Sequence, residues 1–267
     1  MDLGLSGKRA LVTGSNRGTG AVIARVLAAE GATVLLHGNA AGDQERIAAE
    51  LARAGHAAHA VSGDITTDAG AASLVDQVTA LLGGLDILVN NFGQPSGSKW
   101  TTAVTDDFIA SYQANALSAV RMIRAFLPDM RERAFGRVIQ ITTIGTTRPN
   151  SRMPDYYAAK AALANMTVSL AKEVSGSGVT VNTVSPGLIH TAETEAYLRS
   201  LAARRGWGGE WAEIEARGVQ EITQSRASRM ARPEEVAALV AFLASTQAAH
   251  LHGANFRIDG GATDVVQ

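Results

Sequence analysis

Short β-branched or leucine-rich runs alternate with longer helical segments along almost the whole chain, and no other feature restricts the fold as strongly. Arg9–Thr13, Thr33–His37, Ala57–Ser62, Asp86–Asn90, Arg137–Thr142, Thr180–Val184 and Asn255–Asp259 read as buried strands. Between them, Thr19–Glu30, Asp43–Ala54, Asp68–Leu82, Asp106–Arg133, Asp155–Val174 and Pro233–Ala244 read as helices. Gly31, Gly55, Gly83-Gly84 and Gly178 fall just past helices, where a chain leaving a helix favours glycine. Strand–helix–strand repetition predicts an α/β fold: one doubly wound, mostly parallel sheet of about seven strands, with helices on both faces. No Pro/Ser-rich linker divides the sequence, so residues 1–267 are expected to form one domain. Gln94–Thr105 and Leu188–Ser228 break the rhythm. Both follow strands, and such sheets bind ligands outside the carboxyl ends of their strands, so substrate selection is expected there.

Composition removes several classes of function. With 24 Lys+Arg against 25 Asp+Glu, no basic surplus exists to hold nucleic acid through its phosphates. The absence of cysteine excludes disulfides, a thiol nucleophile and thiolate metal sites. No His-x-x-His or carboxylate cluster suggests a metal. The apolar run Val236–Ala244 is too short to cross a bilayer, and Met1-Asp2-Leu3 does not open a secretory leader. A cytoplasmic protein without membrane contact is the expectation.

The first strand runs into the first helix through Thr13-Gly14-Ser15-Asn16-Arg17-Gly18-Thr19-Gly20. Glycine lets backbone approach a pyrophosphate, and a helix start offers unpaired N–H groups with a positive dipole. A tight turn without a ligand would use the same residues. No Gly-Lys-Ser/Thr ending follows, which argues against the phosphate loop of nucleotide hydrolases.

Further pieces occur in order: Asp64-Ile65, Asn90-Asn91-Phe92-Gly93, Asn115, Tyr156-x-x-x-Lys160, Asn182-x-x-Ser185-Pro186-Gly187 leading to Thr191, and Asp259-Gly260-Gly261. Together with the Gly-x-x-x-Gly-x-Gly turn they resemble the short-chain dehydrogenase/reductase family from about Gly4 to Ala262. The resemblance implies a Rossmann-type fold and a nicotinamide dinucleotide. It implies cofactor contacts from Gly14, Ser15, Asn16, Arg17, Gly18, Gly20, Asn39, Asp64, Ile65, Asn91, Gly93, Tyr156, Lys160, Pro186, Gly187, Ile189 and Thr191. Within that set, Gly14, Gly18 and Gly20 would face the pyrophosphate, Asp64 the adenine amino group and Asn91 the adenosine ribose. The Ile189 backbone and the Thr191 hydroxyl would receive the carboxamide. Asn90 is expected to tie two strands together. The sequence reads equally with Asp64 as a turn carboxylate capping its own backbone.

A carboxylate at the end of the second strand usually grips a free ribose 2′-hydroxyl and would repel a 2′-phosphate. Family spacing puts that position at Gly38, between His37 and Asn39, and no acid is present. Arg17 stands where NADP-using relatives often carry a basic residue, so NADP(H) is the expected cofactor.

Tyr156 and Lys160 are four apart, on one helical face. A phenol titrates near ~10, and a neighbouring ammonium favours its ionised form, so the pair is expected to exchange a proton with an alkoxide. Tyr157 is assigned to packing. The family's usual serine, thirteen residues before the tyrosine, is here Thr143, with Thr142 one position away. Asn115 would hold a water beside Lys160. The catalytic set implied is Tyr156, Lys160, Thr143 and Asn115.

Arg148, Arg152, Arg204, Arg205, Trp207 and Trp211 should rim the site, as a lid around 188–228 hinged on Gly206, Gly208 and Gly209 or as helix surface over packed aromatics. The pattern most resembles the 3-oxoacyl carrier-protein reductase branch, and it implies a homo-dimer or homo-tetramer acting on a small carbonyl or alcohol. Two other readings stay open: an NAD-dependent sugar or polyol dehydrogenase, and a non-catalytic dinucleotide sensor.

Overall fold

The computed structural model describes residues 2–265. Seven strands, β1 (Arg9–Val12), β2 (Thr33–Gly38), β3 (Ala58–Ser62), β4 (Ile87–Asn90), β5 (Gly136–Ile141), β6 (Val179–Pro186) and β7 (Asn255–Ile258), form one parallel sheet in the order β3-β2-β1-β4-β5-β6-β7. The α/β, Rossmann-type expectation is therefore met, and the order reverses between β1 and β4, where such a sheet opens a crevice.

The intervening helices are α1 (Gly18–Ala29), α2 (Asp43–Arg53), α3 (Asp68–Leu82), α4 (Thr105–Tyr112), α5 (Ser118–Glu132), α6 (Pro154–Glu173), α7 (Ala192–Arg205), α8 (Trp211–Ile222) and α9 (Pro233–Ala244). Alternate strand residues face opposite layers. Val12, Leu36, Val89 and Ile141 pack with Ile23, Leu27, Ile47 and Val240 of α1, α2 and α9. Leu11, Leu35, Leu88, Val138 and Val181 pack with Leu74, Met122, Phe126 and Ala171 of α3, α5 and α6. Burial on both faces explains why the strands read as unbroken apolar runs.

The expected continuous helix Asp106–Arg133 is corrected. A π-helical turn over Gln113–Leu117 separates α4 from α5. Within it the Asn115 side chain donates to the carbonyls of Ser111 (3.0 Å) and Gln94 (3.0 Å) and accepts from the Gln94 amide (2.9 Å). The extra residue in the turn accommodates a side chain that satisfies loop backbone as well as its own helix.

The 188–228 region is two helices over their own small core of Leu198, Leu201, Ile214, Val219 and Met230, with Trp207 and Trp211 packed against it. Of the two readings of those aromatics, packing is the one observed. Among the described residues no helix is long and apolar enough to cross a membrane, and no His/Cys/Asp/Glu group could hold a metal ion.

Candidate active site

The carboxyl ends of four strands, β1, β4, β5 and β6, build one cleft. Gly14 and Gly18 have φ of +62° and +54°, backbone that L side chains rarely adopt. A Cβ on Gly14 would meet the Phe92 Cα at 2.9 Å, and one on Gly20 would meet the Asn91 Nδ2 at 2.5 Å. Gly20 is buried. It therefore serves close helix–strand contact. No side chain caps the start of α1, so its first-turn amides are available to an anion.

Hydrogen bonds within the chain engage several of the expected site residues. Ser15 is buried, its hydroxyl donating to the Val12 carbonyl (2.7 Å) and its amide to the His37 carbonyl (2.8 Å), so neither is available to a cofactor. Asn91, not Asn90, ties the strands: its Nδ2 donates to the carbonyls of Thr13 (2.9 Å) and Gly14 (3.0 Å). Asn90 and its cross-strand neighbour Gln140 carry buried amides without partners. Asp64 is exposed and accepts from the Thr66 amide (3.0 Å) and hydroxyl (2.7 Å), the turn-capping role that was its alternative. Ile65 is core. Thr191 caps α7 by accepting from the Thr194 amide at 3.3 Å.

At the end of β2, Gly38 is packed by Gln44: a Cβ there would meet the Gln44 Oε1 at 2.6 Å. Asn39 is exposed. Arg17 is also exposed, its Nε 3.2 Å from the Glu193 carboxylate on α7, so this ion pair spans from the glycine turn to the far side of the cleft.

A cavity of about 180 Å³ is lined by Thr19, Asn91, Gly93, Ile141, Thr142, Thr143, Tyr156, Lys160, Pro186, Gly187 and Ile189. It brings Tyr156, Lys160 and Thr143 together beside the turn. Asn115 sits just behind, because a Cβ on Gly93 would meet the Asn115 Oδ1 at 2.8 Å and the Lys160 Nζ at 2.9 Å. Thr142 is held in the sheet by Ser185 (2.7 Å), whereas the Thr143 oxygen accepts only from the Gly145 amide at 3.2 Å. This favours Thr143 as the hydroxyl of the site.

Lys160 is buried and donates to the Ile141 carbonyl at 2.9 Å, and burial pushes its ammonium down to about 8. Burial, with the adjacent Tyr157 phenol, pushes the Tyr156 phenol above its ordinary value. The expected lowering of Tyr156 by Lys160 is thus not what this geometry produces. Tyr157 packs as expected, its hydroxyl accepting from Asn150 (3.0 Å) and its ring filling the space over Gly145. Of the rim arginines, Arg148 and Arg152 reach Gln224 (2.6 Å) and Tyr197 (3.4 Å), while Arg205 pairs with Glu221 at 2.9 Å.

A glycine cradle, an uncapped helix start and an adjacent hydroxyl–phenol–ammonium cavity fit a dinucleotide lying across the switch point. The family model of short chain dehydrogenases matches residues 8–201. The chain belongs to the short-chain dehydrogenase family. As a member of it, it is an oxidoreductase. It is 37% identical to an uncharacterized oxidoreductase, YvaG, of Bacillus subtilis over 98% of both chains. It is 32% identical to the 3-oxoacyl-[acyl-carrier-protein] reductase FabG of Vibrio cholerae, over 97% of this chain and 98% of that one. Among solved structures, the L-sorbose reductase of Gluconobacter frateurii, complexed with NADPH and L-sorbose, superposes with a TM-score of 0.94 at 32% identity over the full length of both.

Sequence reasoning about this short-chain dehydrogenase missed His37, whose ring binds the glycine turn, and Glu193, which pairs with Arg17. Neither lies in a motif. The only signal for His37 was a polar residue ending an otherwise apolar strand.

Proposed function

We propose that the chain interconverts a ketone and a secondary alcohol, with NADP(H) as cofactor and Tyr156 as the acid–base group. The observation that supports this most is the single cavity holding Thr143, Tyr156 and Lys160 against the loops that follow β1, β4 and β6. When bound, the nicotinamide supplies the hydride for reduction and accepts it in oxidation.

The chain's own groups handle the proton and the orientation. Thr143 donates a hydrogen bond to the carbonyl oxygen, its methyl limiting the rotamer. The Tyr156 phenol, kept protonated by burial, donates its proton as alkoxide charge develops and takes it back from the alcohol in the reverse direction. The Lys160 ammonium stabilises the phenolate so formed and passes it a proton, which Lys160 regains from solvent by way of a water at Asn115. Gly14, Gly18 and the start of α1 take the pyrophosphate, and Arg17 leaves Glu193 to meet a 2′-phosphate. The missing acid at Gly38 supports NADP(H), as does the NADPH held by the L-sorbose reductase relative.

The substrate side supports a second reading within this chemistry. A recess of about 310 Å³ opens at Gln94, directly after Gly93, and reaches Ser96, Ser98, Thr102, Asp107, Ser111 and Asp155, directly before Tyr156. The Ser96 and Ser98 hydroxyls there donate to the Asp155 carboxylate, and what supports a small polyhydroxylated ketone is the L-sorbose bound by that relative. A homo-oligomer is part of the proposal, since Trp100, Val104, Ile109 and Val168 leave apolar surface exposed near α4 and on α6.

The test is a panel of ketoses, acyl thioesters and polyols followed at the nicotinamide absorbance with both cofactors. Tyr156→Phe should lower turnover by about 10²–10⁴-fold while leaving NADPH binding intact. An active Tyr156→Phe variant disproves the acid–base assignment, and a folded protein binding neither cofactor disproves the whole reading.

A further inference from the structure

His37, next to the last residue of β2, has its side chain fully buried, an unusual place for a titratable group. Its Nδ1 lies 3.0 Å from the Gly14 amide and its Nε2 2.9 Å from the Gly63 carbonyl. An amide can only donate and a carbonyl can only accept. Both contacts therefore hold in one protonation state alone: the neutral ring with its hydrogen on Nε2. The backbone of the same residue is tied to the turn as well, its amide donating to the Ser15 hydroxyl (2.9 Å) and its carbonyl accepting from the Ser15 amide (2.8 Å).

What this ring holds has little freedom to move. The Gly14 carbonyl accepts from Asn91 at 3.0 Å. The Phe92 backbone leaves no room for a Cβ on Gly14, and the Phe92 ring meets the His37 ring edge-on at 6.4 Å. A proton on Nδ1 would set donor against donor at Gly14. The amide would have to turn away, carrying with it the Thr13 carbonyl of the same peptide plane, which Asn91 also grips at 2.9 Å.

We propose that His37 is a positioning residue for the dinucleotide: its neutral imidazole anchors the glycine turn, and protonation releases the turn and weakens coenzyme binding. The proposal rests on the reading that this turn receives a dinucleotide. From the turn after β3, Asp64 faces the ring and favours its charged form. Phe92 from the turn after β4, Ser15 from the glycine turn and Gln44 of α2, beside Gly38, are uncharged. Burial outweighs Asp64 and holds the imidazole below its ordinary value, so the ring is neutral at physiological pH and charges only in acid.

The test compares the full-length wild type with His37→Asn, whose Oδ1 supplies an acceptor at the Nδ1 position but cannot titrate. NADP⁺ affinity is measured by tryptophan quenching from about pH 8 to about pH 5. Wild type should lose affinity toward acid, by up to about tenfold for each unit below the ring's folded pKa, while His37→Asn loses less. Titration of the coenzyme's own 2′-phosphate is common to both proteins and cancels in the ratio. Nitrogen-resolved NMR of the wild-type imidazole, which needs no variant, should report the Nε2–H tautomer near neutrality and its loss over the same range. Binding with superimposable pH profiles, or an Nδ1–H tautomer, overturns the His37 proposal and leaves the dinucleotide reading standing. Absence of coenzyme binding at every pH in both proteins removes both.

Discussion

Two side chains at the site are displaced from their ordinary titration ranges by the same cause, in opposite directions of charge. Burial raises the Tyr156 phenol and lowers the Lys160 ammonium to about 8, so near neutrality both carry their protons. That state suits reduction. As pH passes about 8 the ammonium discharges, the developing phenolate loses its counter-charge, and kcat/KM for ketone reduction should fall. The Lys160→Met variant should be slow throughout and lack this limb. A wild-type profile that stays flat to about pH 10 sinks the assignment. Arg17 makes a separate prediction. It is exposed and among the described residues its side chain engages only Glu193, so Arg17→Ala should leave the fold intact and raise KM for NADPH by about 10–100-fold, the loss typical of a charge-assisted bond. Steady-state kinetics with NADH should show little change, and equal losses for both coenzymes refute a 2′-phosphate role.

At the scale of elements, the π-turn joins scaffold to chemistry. Asn115 closes three bonds onto Gln94 and Ser111, and Gly93 is squeezed between its Oδ1 and the Lys160 Nζ. Asn115→Leu should cost about 1–3 kcal/mol by stranding buried backbone groups, and should loosen the loop of residues 94–104. Amide hydrogen exchange would show faster exchange in that loop; unchanged protection there refutes the coupling. This turn also shows where reading from sequence stops. Strands, most helix boundaries and the motif residues of the cleft are legible because two-sided burial, glycine at left-handed positions and fixed spacing leave local marks. The break at Gln113–Leu117 leaves none, since it depends on a partner twenty-one residues away, as the Asn115–Gln94 contact is. Motif spacing points Ser15, Asn91 and Asp64 toward a ligand, while in the structure their side chains bond to backbone and near neighbours. Spacing locates such residues without saying which way their hydrogen bonds run. His37 was invisible for the complementary reason: its partners, Gly14 and Gly63, come from two other strand ends.

Across the whole molecule, the sheet separates its two ends. Carboxyl ends carry the cleft. At the amino ends, Arg9 opens β1 and Asp86 precedes β4, and Arg9 clasps Asp86 through Nε (3.0 Å), Nη2 (2.8 Å) and its own amide (3.0 Å). Arg133, following α5, reaches the same carboxylate and holds Asp129 at 2.7 Å. Burial alone would raise Asp86, but hydrogen bonds from Arg9 and Arg133 outweigh it and bring the carboxyl down to about 2 from an ordinary 3.8. Because the folded value is depressed, the unfolded chain binds the proton more readily. The stabilisation is present in full above about pH 4 and is lost as pH falls through the folded value near 2. A shift of this size corresponds to about 2 kcal/mol, and Asp86→Asn, which also leaves two guanidinium groups without their counter-charge, should lower the melting temperature at pH 7 by at least that equivalent. The same variant lies at the far end of the sheet from Tyr156 and Lys160, so kcat and coenzyme affinity measured below its melting transition should match wild type. If Asp86→Asn instead weakens NADP⁺ binding while melting normally, the two ends are coupled through the strands and the division of labour argued for this sheet is wrong.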